Sequence, residues 1–329
     1  MAHSATQLPD LWDGLASDYF QTREFLGHTE QYNPCKQRYY MLSQRGVLVT
    51  GLVMYTLRID LFTYLSIPSP FRMHIVGIPC SVSSAGIVGS YPHLSTLLDH
   101  VKEKEKGLLL ALNLSSPAPV KDCICGRTLP TIFLDRSFDS WEAYTQLLRS
   151  DYRRRIKRIS RSFSGIRIAR QRCSFFDAQM YDQYLDVLKR SKGKLETLSL
   201  EFFQRLPSNF HLTTCSDQGE LIGWFITASY GKKSYFFMGG IDYKQNERHH
   251  TYLNILAEIL RETIEHKATS LDLGQTAEVP KIRMGGKIRE KYMLGYHSNR
   301  GFRKLLAAGK GLLEYRSVVP EAHVFRELS

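Results

Sequence analysis

Side chains that can transfer a proton or bind an anion are concentrated near the C-terminal end of the sequence. Tyrosine and histidine can donate or accept a proton during a reaction, and both types recur along one short segment. The candidates there are Tyr292, Tyr296 and His297. The polar segment 275–286, directly upstream, adds two cations and two glycines, namely Lys281, Arg283, Gly285 and Gly286. These two segments contain the first candidates for a reactive site.

A second candidate region follows an aromatic-rich segment that ends in Met238, Gly239 and Gly240. Glycines at the end of a strand allow a positive φ angle or let a ligand approach the backbone closely. The polar loop 241–250 leads from there into a helix, and amide groups at a helix start can bind phosphate. Lys244 and Arg248 in this loop would add positive charge. We therefore expect these residues to bind a ligand that carries phosphate.

A strongly basic helix is predicted within residues 149–161. Its apolar positions recur at helical spacing, and many of its other positions are arginine. Arginine binds phosphate well because its guanidinium group is always charged and can make two hydrogen bonds at once. The residues expected to contact an anionic partner are Arg153, Arg154, Arg155 and Arg158. The alternative is a solvated basic face that only lies near a phosphate-bearing ligand.

The elements that must position these residues follow in a regular order. Segment 220–230 is an apolar strand, and a turn at 231–233 leads into the aromatic strand 234–240. Apolar residues between 252 and 264 then recur every three or four positions, which predicts an amphipathic helix. Segment 270–274 is a short apolar strand, in which Asp272 is expected to fix the next loop through hydrogen bonds.

This order resembles the C-terminal half of a GNAT-type acyltransferase domain. The resemblance rests on Gly-Gly-Ile-Asp after the aromatic strand, on the helix and the Leu-Asp-Leu-Gly strand, and on Lys281 before Gly285 and Gly286. It points to the Fem-type branch of the GNAT superfamily, the peptidoglycan aminoacyltransferases and their relatives described as predicted N-acyltransferases. It extends over nearly the whole chain and is strongest over 141–297. The sequence has no sustained heptads for the coiled-coil arm of the cell-wall enzymes, which favours the smaller predicted acyltransferases.

The resemblance implies roles for several candidates. Lys281 corresponds to a lysine that contacts a substrate phosphate or carbonyl, and backbone amides of a splayed strand near Met238 would stabilise an oxyanion. Most GNAT enzymes wrap the pyrophosphate of CoA with an R/Q-x-x-G-x-G/A pattern, but segment 243–250 contains no glycine. Fem-type relatives show the same loss because their donor is an aminoacyl-tRNA. The expected donor is therefore acyl-CoA or aminoacyl-tRNA, with no tightly bound cofactor.

The first part of the sequence repeats the same order of elements. Strands at 38–42 and 46–57 precede a helix at 94–106 and an apolar strand at 107–114, and 62–65 could extend the sheet. Because Fem-type proteins contain two GNAT-like units, we expect tandem GNAT-like α/β domains. Each would be a mixed, mainly antiparallel twisted sheet flanked by helices. Segment 115–127 is the expected linker between halves 1–127 and 128–329, although it could equally be a loop inside one continuous sheet.

Composition limits the class of protein. A chain of 329 residues with 43% hydrophobic residues can bury two ordinary cores, and its net charge of +12 favours anionic partners. No basic segment followed by an apolar one begins the sequence, and the longest apolar run is too short to cross a bilayer. A cytoplasmic protein without a transmembrane segment is therefore expected. Cys123 and Cys125 lack a second pair of ligands, so no metal is expected.

Three functional hypotheses follow. The first is an N-acyltransferase that moves an acyl or aminoacyl group to the amine of a small molecule or peptide by direct attack. The second is a non-catalytic protein that binds RNA or phosphate through the basic helix on a degenerate GNAT scaffold. The third is a transferase that takes its acyl group from an acidic acyl carrier protein docked on the same basic face.

Overall fold

The computed structural model describes residues 1–58, 72–80, 82–191, 196–316 and 322–326. They form two compact units. The first unit is Met1–Pro130 with Glu290–Ser317, and the second unit is Thr131–Arg289 with Val318–Ser329. The strand expected at 62–65 lies outside the described residues.

The first unit starts with short helices and continues into a sheet. Its helices are α1 (Leu11–Leu15), α2 (Arg23–Tyr32) and α3 (Leu94–Lys104), with 3-10 turns at Ala5–Gln7, Tyr19–Gln21 and Tyr91–His93. Its strands are β1 (Arg38–Gln44), β2 (Val47–Arg58), β3 (Arg72–Val76), β4 (Ile87–Gly89) and β5 (Leu108–Leu114). Gly51 lets the α1 tryptophan pack onto β2, because a Cβ atom there would lie 2.2 Å from the Trp12 ring.

The second unit contains the larger set of helices. It begins within β6 (Ile124–Leu134), of which Thr131–Leu134 belong to this unit. Its further elements are α4 (Trp141–Leu147), α5 (Ser150–Arg161), β7 (Arg167–Arg172), a 3-10 turn (Cys173–Phe175), α6 (Ala178–Arg190), α7 (Leu200–Gln204), β8 (Phe210–Asp217), β9 (Glu220–Tyr230), β10 (Lys233–Ile241), α8 (Tyr243–His249), α9 (Thr251–Glu265), β11 (Ser270–Gln275) and α10 (Glu278–Ile282). The chain then continues through β12 (Lys287–His297), α11 (Arg300–Ala308) and α12 (Lys310–Leu313). The α8 helix lies where the sequence predicted a polar loop.

The division into units differs from the expected boundary between residues 127 and 128. That position lies inside β6, and residues from Glu290 onward in β12 belong to the first unit. They do so because Tyr292–His297 pairs antiparallel with β5. A single cut in the sequence could not represent a chain that leaves the first unit and later returns to it.

The strands of the two units share one topological feature. In the first unit the strand order is β1-β2-β3-β5-β12, and β3 pairs with β5 in parallel. In the second unit the order is β6-β11-β10-β9-β8-β7, and β10 pairs with β11 in parallel. The other registers described within the two units are antiparallel. A helix, α3 or α9, connects toward the second strand of each parallel pair, so the predicted tandem of mixed, mainly antiparallel sheets is confirmed.

The core of the second unit lies between its sheet and its helices. Ile255 and Ile259 of α9 are fully buried there with Phe225 of β9, as the three- and four-residue spacing predicts. The helix α4 begins at Trp141, because the Ser140 side chain accepts a hydrogen bond from the Ala143 amide and so caps the helix start.

Candidate functional site

The parallel strands of the second unit separate at one point. The β10–β11 register covers Lys233–Tyr235 and Ser270–Asp272, and it ends there. β10 continues along β9 with a register shift between Phe236 and Met238. Such a bulge bends a strand and increases its twist. A wedge therefore opens between β10 and β11 beyond Tyr235 and Asp272, near the position where the sequence predicted a splayed strand.

Lys281 is buried next to this wedge, with only 3% of its surface exposed. It lies on α10, and its Nζ donates a hydrogen bond to the Gln275 carbonyl oxygen at 2.7 Å. The same Nζ lies 5.8 Å from the centre of the Phe236 ring of β10. Burial lowers the pKa of Lys281 to about 8, although the charges of Asp272 and Glu278 raise it. A buried cation with a lowered pKa is typical of a functional site, and an ordinary loop lysine would be solvated.

The turn that presents Lys281 has an unusual backbone. Thr276 and Ala277 both have positive φ angles, 61° and 47°, in the left-handed region that favours glycine. Asp272 stabilises the start of this turn, because its Oδ1 accepts hydrogen bonds from the Gly274 amide at 2.7 Å and from the Thr131 hydroxyl at 2.6 Å. Backbone strain of this kind is often found at ligand sites.

The glycines after Lys281 are explained by packing. A Cβ atom on Gly285 would lie 2.4 Å from the Phe325 ring, and one on Gly286 would lie 2.4 Å from Ile132 Cγ2. Gly285 also has a φ of 97°. Both residues therefore let the chain after α10 pack closely against the unit, which holds Lys281 in place.

The paired glycines of β10 have a similar explanation. Met238, Gly239 and Gly240 lie in the part of β10 beyond the parallel ladder. Neither glycine has a positive φ angle. A Cβ atom on Gly240 would lie 2.4 Å from Trp224 Nε1, so packing accounts for this glycine. The backbone amides of Met238 and Gly239 remain candidates for contact with a ligand.

The start of α8 is occupied by a carboxylate. Asp242 is its N-cap residue, and its Oδ1 accepts a hydrogen bond from the Lys244 amide at 2.8 Å. Arg248 lies 3.9 Å from the Asp217 carboxylate. The expected phosphate site on these amides therefore already holds a negative group, which disfavours a phosphate at the same position.

The four arginines expected to bind an anion point in different directions. Arg154 forms an ion pair with Asp151 of the same helix. Arg155 is close to Arg283, since burial and the nearby charges of Arg283 and Arg158 lower its pKa. Arg153 faces a groove on another side of α5. The structure thus brings Arg155 together with Arg283, two residues after Lys281, and separates both from Arg153.

The aromatic candidates on β12 belong to the first unit. The Tyr292 hydroxyl donates a hydrogen bond to Glu290 at 2.8 Å, and this bond raises its pKa. The Tyr296 ring lies beneath two cations, 5.2 Å from Lys102 Nζ and 5.3 Å from the Arg303 guanidinium carbon. His297 Nδ1 accepts a hydrogen bond from the Asn299 amide at 3.0 Å. Each side chain therefore already has a partner in its own unit.

One buried ionisable group, Glu196, was not among the residues predicted from the sequence. Both carboxylate oxygens of Glu196, between α6 and α7, are buried without a hydrogen-bond partner in the described part of the chain. Burial raises the pKa of Glu196 to about 7, which suits a residue that accepts a proton near neutral pH. The adjacent helix α7 packs on β10 through Phe202 and Phe237, whose ring centres are 6.4 Å apart. Nothing in the local sequence signals this burial.

The described residues contain no group of three or more His, Cys, Asp or Glu side chains placed to hold a metal ion. Within the same residues, no helix is both long and apolar enough to cross a membrane.

A mixed sheet with a splayed parallel pair, connected through a helix, defines a GNAT-type acyltransferase fold. Residues 147–281 match the family described as "Acetyltransferase (GNAT) domain", a match that ends at Lys281. A crystal structure of FemX is similar with a TM-score of 0.53 and 12% identity, over 85% of this chain and 92% of that one. The C-terminal domain of a putative lysylphosphatidylglycerol synthetase from Agrobacterium fabrum is similar with a TM-score of 0.54 and 10% identity, over 93% and 96%. No curated protein sequence matched.

Residues 147–281 therefore match a GNAT acetyltransferase domain, and the fold of the chain is similar to that of FemX. The resemblance inferred from the sequence is confirmed at this level. At 10–12% identity the two structural neighbours show the fold alone.

Proposed function

We propose that this protein is an N-acyltransferase and that Lys281 is a catalytic residue of the transfer. The observation that carries the proposal is the burial of this lysine beside the wedge between β10 and β11. An ammonium group has three hydrogen-bond donors, and Lys281 uses one on the Gln275 carbonyl. The other two can stabilise negative charge on a substrate oxygen in a site with little water.

The proposed reaction is the direct attack of an amine on an activated carbonyl. The amine nitrogen forms a C–N bond, the carbonyl oxygen gains negative charge, and the bond to the leaving oxygen or sulfur then breaks. The proton lost by the amine ends on the leaving group. Lys281 would stabilise the charged oxygen, and Glu196 is the described carboxylate whose pKa best suits a role in moving the proton.

An aminoacyl ester of tRNA is the donor that we favour. Segment 243–250 after β10 has no glycine, and the Asp242 carboxylate occupies one of the amides with which a helix start would hold a pyrophosphate. Both features disfavour binding of the CoA pyrophosphate at this position. The family description, an acetyltransferase domain, favours acyl-CoA as the second candidate donor. The acceptor is proposed to be an amine of a small molecule or peptide.

The burial of Lys281 also favours the enzyme hypothesis over the hypothesis of a non-catalytic scaffold. Burying a cation costs free energy, and a protein that only binds phosphate on an exposed helix gains nothing from it. The same cost applies to a transferase that depends on an acyl carrier protein, so that hypothesis remains a variant of the enzyme with a different donor.

The test compares amide formation from charged tRNA and from acyl-CoA, each with a panel of primary amines. We expect product from at least one donor with the natural protein and with Lys232→Met, which changes an exposed lysine. We expect Lys281→Met to reduce the rate by about a hundredfold or more, the range seen when an oxyanion donor is removed. Equal rates for natural protein and Lys281→Met would contradict the role of Lys281. Absence of product from both donors would direct the search to a carrier protein.

A further inference from the structure

A groove of about 550 Å³ lies on the second unit between α4, α5 and α9. Most of its lining residues are basic or carry a hydroxyl group, and two, Trp141 and Ile156, are largely apolar. The lining residues are Trp141, Thr145, Arg153, Ile156, Lys157, Ser160, Arg161, Ser164 and Arg261. The lining thus contains four cations and three hydroxyl groups and no carboxylate, and it consists of different residues from those around Lys281.

Three of the cations form a regular row. Arg153, Lys157 and Arg161 are four residues apart on α5, so neighbouring members are about 6 Å apart along the helix axis. None of the three has an ion-pair partner among the described residues. Arg154, which does not line the groove, is paired with Asp151. The row in the groove is therefore uncompensated positive charge.

The fourth cation is fixed in position by its neighbours. The Arg261 guanidinium carbon lies 4.1 Å from the centre of the Trp141 ring, and its Nε lies 3.3 Å from Glu258. The Tyr144 ring lies near the same indole, 5.0 Å away. Because Arg261 contacts both the Trp141 ring and the Glu258 carboxylate, α9 contributes a guanidinium group of fixed orientation to the groove, in addition to the row on α5.

Capping of the helix end does not account for these cations. Basic residues in a last helical turn often interact with free carbonyl groups there. At the end of α5, however, the Ile159 carbonyl accepts hydrogen bonds from the Ser162 hydroxyl and from Asn254, and the Arg161 carbonyl accepts one from the Ser164 amide. These groups are satisfied without the side chains of the row.

We propose that this groove binds a ligand carrying two or more phosphate groups, held by the row on α5 and by Arg261. Arginine binds a phosphate through two parallel hydrogen bonds, and lysine adds a point charge. The serine hydroxyls can donate to the remaining oxygens. The ligand is a polyphosphate-bearing small molecule or a strand of nucleic acid, which share this chemistry. The groove is lined by residues other than those around Lys281, so its ligand binding can be tested without any acyl donor.

The test uses two double variants with the same change in net charge. Lys157→Gln with Arg161→Gln removes two cations from the groove, and Arg154→Gln with Arg158→Gln removes two from other positions on α5. Binding of inorganic pyrophosphate and of a short single-stranded RNA is measured by calorimetry over a range of salt concentrations. Circular dichroism confirms that both variants are folded.

We expect the groove variant to weaken binding about tenfold or more and the matched variant to change it much less. For the single-stranded RNA, the magnitude of the slope of log K against log salt is expected to fall by about 1.4 for the groove variant, roughly 0.7 for each lost phosphate contact. Binding of pyrophosphate would support a small-molecule ligand, and binding of RNA alone would support a nucleic-acid strand. Equal losses in both variants, or no binding of either probe by the natural protein at low salt, would overturn the proposal.

Discussion

Replacing Lys281 with methionine is expected to stabilise the protein at neutral pH while it removes activity. Burial lowers the pKa of Lys281 from 10.5 to about 8, and a change of one in a pKa corresponds to about 1.4 kcal/mol. The charged lysine therefore costs the folded state about 3 kcal/mol at pH 7. Methionine has a similar length and no charge, but it leaves the Gln275 carbonyl without its hydrogen bond, at a cost of about 1–3 kcal/mol. The net expectation is a gain of roughly 0–2 kcal/mol.

The increase in unfolding free energy from Lys281→Met is expected to depend on pH. The folded-state pKa is lowered below the unfolded value, so the penalty is fully present below about pH 8 and disappears as pH rises toward 10.5. At pH 10 about 1 kcal/mol of the penalty remains. The difference in unfolding free energy between Lys281→Met and the natural protein should therefore fall by about 2–3 kcal/mol from pH 7 to pH 10. Other groups titrate in both proteins and cancel in this difference.

Urea unfolding at the two pH values measures both quantities. Lys232→Met serves as the control, because an exposed lysine of the same type should give differences within about 0.5 kcal/mol at either pH. A difference for Lys281→Met that stays constant between pH 7 and pH 10 would show that the pKa of Lys281 is not lowered. The argument for a buried catalytic cation would then fail, whatever the activity of the variant.

Three further predictions concern the same region. Lys281→Arg keeps the charge at all relevant pH values, so its rate should lack the decline near pH 8 that is expected for the natural protein as Lys281 loses its proton; a decline at the same pH in both proteins would assign it to another group. Asp272→Asn removes a charge that raises the pKa of Lys281, so the decline should move to lower pH, and an unchanged pH–rate profile would contradict this. Gly240→Ala should destabilise the protein by about 1–3 kcal/mol because its Cβ would clash with Trp224, whereas Gly14→Ala in α1, where nothing lies within 4 Å, should be neutral or stabilising in thermal unfolding.

The strands and the long amphipathic helix of the second unit could be predicted from the sequence because their apolar spacing is regular. β9 and β10 lie where the apolar and aromatic runs predicted them, and α9 begins one residue before the expected periodic segment. α8 could not be predicted in this way, since its seven residues are polar and its start depends on the cap from Asp242. Short helices of this kind are decided by tertiary context more than by pattern.

The candidate site was only partly predictable for a related reason. The position of Lys281 after β11 is visible in the sequence, but its burial depends on the close packing of Gly286 against Ile132, which are far apart in the chain. The arginine-rich character of α5 is equally visible. The groove that Arg153 lines, however, also includes Arg261, a residue of another helix more than a hundred positions away. The local sequence around Arg153 therefore does not indicate the groove.

Two features that lower the stability of the folded second unit lie in the short turn that carries Lys281. Thr276 and Ala277 both occupy the left-handed region, at roughly 1 kcal/mol or more each, and the buried ammonium adds about 3 kcal/mol. Single substitutions could relieve each cost, for example Ala277→Gly for the backbone and Lys281→Met for the charge. A scaffold that had lost its reaction would gain stability from either change and lose nothing. The combination therefore supports the proposed transferase, in which the turn would hold the cation against a substrate oxygen.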